Sequence, residues 1–158
     1  MPKNFKSFAQ LIQDGYDQIS IVQSLWSGYG NLYRLKNKNG SAVIVKHINP
    51  PENQNHPRKW NSSVAHQRKL KSYNIEYHWY KEFGHLTNDA CRIPKLLFAE
   101  SQRTEQILVL EDLANAGYPT LSSSISINTV KVVLGWLANF HGTFLRKESK
   151  GLWDVGSY

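Results

Sequence analysis

Three features of the chain could do chemistry together. A lysine stands inside the apolar run Val43-Ile44-Val45-Lys46-His47-Ile48, two glycines lie upstream in Ser27-Gly28-Tyr29-Gly30-Asn31, and the carboxylate Glu76 sits between Ile75 and Tyr77. Side chains alternate along an extended strand, so Lys46 shares a face with Ile44 and Ile48, where an unpaired ammonium is costly to desolvate. It therefore needs an anion: a protein carboxylate, a bound phosphate, or both. A lysine following a glycine turn suggests a nucleotide phosphate cradle, and Glu76, in the more apolar half of its own segment, is the carboxylate most in need of a cation. Taken singly, each feature has a plainer explanation. Lys46 could snorkel to water, Gly28 and Gly30 could make a simple turn, and Glu76 could be a solvated helix residue paired with a nearby lysine.

The elements that must position these groups follow from periodicity. Phe5, Phe8, Ala9 and Ile12 recur at helical spacing before Gly15. A three-strand meander is expected over Ile19–Leu25, Leu32–Leu35 and Ser41–Ile48, its second turn being Asn39-Gly40, a pair that suits a two-residue hairpin. The proline-bearing stretch Asn49–Asn61 reads as an exposed loop. A long helix is expected from about Ser63 to Phe83, with Leu70, Tyr73, Tyr77 and Tyr80 along one side; its aromatic series reads as core packing rather than as a platform for bases. Two further strands are expected near Lys95–Glu100 and Gln106–Leu110, joined by the turn Ser101–Thr104. A linker to Ser124 then precedes a helix from about Ile127 to Leu145, bearing Val130, Val133, Leu134, Leu137, Ala138 and Phe140.

The 158 residues suffice for one ordinary domain. The charge of +7 suits an anionic partner, but the basic residues are spread along the chain, so nucleic acid is not the expected one; a basic nucleic-acid-binding domain is the weaker rival reading. A single cysteine, Cys91, and a polar N-terminus fit a cytoplasmic protein. No apolar run approaches the roughly 20 residues that span a bilayer, so no membrane association is expected. His78, Glu82 and His85 fall at helical spacing, but no fourth ligand is evident and no metal site is assigned.

Together, Leu25-Trp26-Ser27-Gly28-Tyr29-Gly30-Asn31, Val43-Ile44-Val45-Lys46, the segment from Ser72 to Tyr80 around Glu76, Ile93-Pro94-Lys95-Leu96 and Leu108-Val109-Leu110-Glu111-Asp112-Leu113 resemble the N-terminal lobe of aminoglycoside phosphotransferases and choline kinases. The nearest likeness is to the ecdysteroid-kinase-like branch of that superfamily. The order and spacing of these segments are more specific than any one of them. The resemblance implies an α+β, protein-kinase-like lobe over residues 1–111, a hinge and linker over 112–125, and the first helical part of a C-lobe over 126–158. It implies that Ser27, Gly28, Tyr29, Gly30 and Asn31 cover the phosphates of ATP, that Lys46 contacts them, that Glu76 orients Lys46, and that the backbone of Glu111, Asp112 and Leu113 holds adenine. Magnesium and a small-molecule acceptor with a hydroxyl are implied as well.

The superfamily's catalytic aspartate and its magnesium-binding aspartate belong to the C-lobe. Beyond Leu113 the only carboxylate side chains are Glu148 and Asp154, and His141-Gly142 is followed by Thr143 rather than by an aspartate. The chain is thus expected to stop about halfway through such an enzyme and to be inactive alone. A non-catalytic binding or interaction module is the alternative, with self-association through apolar surface left uncovered.

Overall fold

A computed structural model of the chain describes residues 15–50, 63–119 and 124–154. The expected N-terminal helix and most of the proline-bearing loop lie outside these residues. Five strands form one antiparallel sheet: β1 (Gln18–Ser24), β2 (Gly30–Lys36), β3 (Ala42–Ile48), β4 (Leu96–Gln102) and β5 (Glu105–Glu111), in the spatial order β1-β2-β3-β5-β4. Helix α1 (Ser63–Glu82) follows β3, and α2 (Ile127–Phe144) follows β5. Each strand falls on an expected one, and the architecture is α+β, fitting a kinase-like N-lobe.

Register sorts the side chains between two faces. Leu35 opposes Val43, Tyr33 opposes Val45, and Val45 opposes Val109, so these share a face. There Leu35, Val43, Val45, Ile107 and Val109 form the buried core, with Tyr16, Tyr33 and Phe98 packed on it. On the other face Lys46 lies between Leu32 and Leu108, and Ile44 lies between Arg34 and Leu110. The β-branched residues of β3 thus fill the core on one side, while the alternation that buries them turns Lys46 toward α1.

Two turns depart from the sequence expectation. Strands β2 and β3 are joined through Asn37–Ser41 rather than by a two-residue hairpin: the Asn37 side chain accepts from the backbone N–H groups of Asn39 and Ser41, and Gly40 alone takes the left-handed conformation, at φ 80°. The asparagine upstream captures the backbone, which lengthens the loop and leaves the left-handed position to glycine. Between β4 and β5 the turn is the tighter one, Arg103-Thr104, with Arg103 at φ 56°.

The helices pack through half-buried faces. Along α1 the side chains of Leu70, Tyr73, Tyr77 and Tyr80 are half-buried while Lys71 and Ser72 are exposed. Trp79 meets Phe140 and Phe144 of α2, both at a ring separation of 6.0 Å. Helix α2 starts with Ser126 capping the Thr129 N–H and packs through Trp136, Phe140 and Phe144, the Trp136 indole donating to the Arg92 carbonyl at 2.9 Å. Its expected apolar residues Val133 and Leu134 are exposed.

Candidate functional site

Lys46 and Glu76 meet. The Lys46 ammonium donates to both oxygens of the Glu76 carboxylate, at 2.7 and 2.5 Å. The lysine side chain is 16% exposed and the glutamate 33%, so the pair is sheltered rather than sealed. Beneath it the Tyr73 ring centroid lies 5.4 Å from the ammonium. Burial, and then the Glu76 charge with a smaller push from Tyr29, raises the Tyr73 phenol above its ordinary value. Tyr80 is raised in the same way, by burial and then by Glu76. Two residues before Glu76, Asn74 accepts from the amide of Gln106 on β5, a second polar tie between α1 and the sheet.

The glycine segment adjoins this pair. Leu25 donates to the Gly30 carbonyl and closes a short helical turn at Trp26–Gly28. Gly28 and Gly30 both take positive φ, at 72° and 133°. At Gly30 any Cβ would sit on the carbonyl oxygen of His47, so only glycine lets the loop lie against β3. Trp26 is exposed, whereas Tyr29 is buried, its hydroxyl 2.5 Å from Nδ1 of His66 on α1 and its ring 6.0 Å from Tyr73. The Asn31 amide donates to the Tyr33 hydroxyl on the core face, away from Lys46. The structure therefore pairs Gly30 with Ile48, two positions along β3 from Lys46, directs Tyr29 into the junction with α1, and turns the Asn31 side chain elsewhere.

At the far end of β5 the three residues expected to hold adenine part company. Glu111 accepts from Arg92 at 2.7 Å and from the Lys95 N–H. Asp112 is almost wholly buried, with Arg34 Nε 2.8 Å from Oδ2 as an ion pair and Nη2 donating to Oδ1 at 3.1 Å. Oδ1 also accepts from the Ala114 N–H, and Leu113 is half-buried, its carbonyl accepting from Ala116 and Tyr118. The Arg34–Asp112 pair was not anticipated. Part of its signal was present: a carboxylate two positions after Leu110, on the same face by alternation, needs a cation, and β2 turns Arg34 to that face.

An antiparallel five-stranded sheet whose third strand carries a lysine tied to a glutamate on the flanking helix, beside a glycine turn, defines a kinase-like N-lobe. The family comparison agrees: the model of the ecdysteroid kinase-like family matches residues 30–150, and the chain belongs to that family. No curated protein sequence matches it. Membership supports kinase, that is phosphotransferase, chemistry at a coarse level.

A kinase-like family implies ATP and magnesium in general. The groups present suit a polyphosphate: an oriented ammonium beside a glycine turn. Among the described residues no group of three or more His, Cys, Asp or Glu is placed to hold a metal ion. The helical trio considered in the sequence is dispersed, with His78 bonded to the Lys150 carbonyl and His85 beyond the end of α1. Among the described residues no helix is long and apolar enough to cross a membrane.

Proposed function

We propose that this chain forms the nucleotide-binding half of a small-molecule kinase. In this reading Lys46 donates to the phosphate oxygens of ATP, Glu76 keeps the ammonium extended toward them, the backbone around Gly28 and Gly30 approaches the phosphates closely, and the Glu111–Leu113 backbone meets adenine. The acceptor would be a small molecule with a hydroxyl. The observation that carries the reading is the two-oxygen contact between Lys46 and Glu76 on the α1 side of the sheet. It fixes a cation where an anion can reach it without the lysine having to desolvate at the moment of binding.

Mg-ATP should raise the melting temperature of the wild type, because a ligand at about 100 times its Kd stabilises by about 2.7 kcal/mol. Lys46→Ala should remove the shift; an equal shift in that variant would overturn the reading. Phosphoryl transfer by this chain alone should be undetectable, since beyond Leu113 only Glu148 and Asp154 carry carboxylates.

A second reading, a non-catalytic interaction module, draws support from α2, where Ile127 and Val132 are 70% and 73% exposed. Light scattering across concentration would test it through self-association.

A further inference from the structure

Helix α1 carries Glu76 yet buries none of its described side chains completely. Its inner side is half-buried rather than sealed, so discrete contacts add to packing in fixing its position. Several hold it on the sheet side: Glu76 on Lys46, Asn74 on Gln106, and His66 on Tyr29. One more comes from beyond α2. The residues after Phe144 turn back, with Arg146 at φ 61°, and lay Ser149–Trp153 along α1.

That contact is specific. Nε2 of His78 donates to the Lys150 carbonyl at 3.0 Å. Gly151 follows at φ 82°, pressed so close that an added Cβ would lie 2.5 Å from the same nitrogen. Lys71 places its ammonium 4.5 Å from the Trp153 ring centroid. Between the two segments lies a largely apolar hollow whose walls include Ile75, Trp79, Leu152 and Trp153, and Glu76 itself forms part of the lining.

We propose that Ser149–Trp153 is a positioning strap: by gripping α1 at His78 it holds Glu76 on Lys46. It acts through α1 and touches no reacting group. The proposal assigns a role in the phosphate cradle to a segment with no sequence signal of its own, and its bearing on nucleotide affinity rests on the proposed function.

The test is Gly151→Ala, whose methyl collides with the His78 ring and whose left-handed backbone is strained, so the His78–Lys150 bond should break, at an exposed position where the fold should survive. The first readout needs no nucleotide. With α1 released, acetylation of Lys46 by an amine-reactive ester, followed by mass spectrometry, should accelerate about three- to tenfold as the fraction of paired Lys46 falls. Lys38, on the β2–β3 turn, should label at the wild-type rate. Amide exchange should accelerate in α1 but not in β3 and β5, and Trp153→Phe, which keeps an aromatic ring under Lys71, should label like the wild type.

An unchanged Lys46 rate in Gly151→Ala overturns the proposal. So does acceleration spread over β3 and β5, which marks general destabilisation. The second readout is Mg-ATP affinity, expected to weaken by a comparable factor. A wild type that fails to bind nucleotide would end the nucleotide reading and leave the labelling result to judge the strap.

Discussion

Replacing Glu76 by Gln removes the charge opposite Lys46 while keeping nearly the same shape. Two unit charges about 4 Å apart attract by about 4 kcal/mol at an effective dielectric of 20. The pair here is closer, but with a third of the Glu76 side chain exposed, solvent screening and the cost of partial desolvation reduce the net. A coupling of about 1–2 kcal/mol is the expected remainder, between the exposed-pair range and that of sealed pairs. Urea unfolding of wild type, Glu76→Gln, Lys46→Met and the double variant gives this coupling directly as a double-mutant cycle. Each single change strands one partner, whereas the double change strands neither. Its cost should therefore be less than the sum of the two. Additivity within about 0.3 kcal/mol would refute the claim that these groups depend on each other, and with it the electrostatic basis of the site.

Three further outcomes follow from the same geometry. The phenols of Tyr73 and Tyr80 are raised above 10.0, so the folded state retains protons that the unfolded chain loses; their contribution to stability is complete below pH 10.0 and is lost as pH rises through the folded values. Glu76→Gln removes the Glu76 charge, the second-largest cause at each tyrosine, so both should titrate lower in a 295 nm absorbance titration and the alkaline loss should shrink. Gly30→Ala should destabilise by about 3 kcal/mol or more, because both the left-handed backbone and the His47 carbonyl exclude a Cβ; a melting temperature equal to the wild type's would contradict this. Asp112→Asn should cost about 2 kcal/mol in urea unfolding by leaving the partly exposed Arg34 without its buried counter-charge, and a loss under about 0.5 kcal/mol would show the pair to be incidental.

Much of the fold could be read from local pattern. The strand-to-strand succession, the long helix and its cap-to-cap length follow from period-2 and period-3.6 spacing, which depends only on near neighbours. The Lys46–Glu76 pairing was also legible, because each charge lay among apolar residues and each had few candidate partners. The Arg34–Asp112 pair was not legible, because which strand cation reaches Asp112 depends on register across the sheet. Spacing shows the aromatic stripe of α1 but not what lies opposite it. In the structure, polar ties to Gln106 and Lys46 face the sheet, while Trp79 packs on α2.

By itself the sequence determined the elements, the face that Lys46 occupies and the need for a counter-charge, since alternation and desolvation act on each residue where it stands. Tertiary structure alone decided that Tyr29 leaves the glycine loop for the α1 junction and that Gly151 closes on His78 across 73 positions of chain. Such contacts join segments far apart in sequence, and their partners are chosen by how sheet and helices pack, which no local pattern encodes.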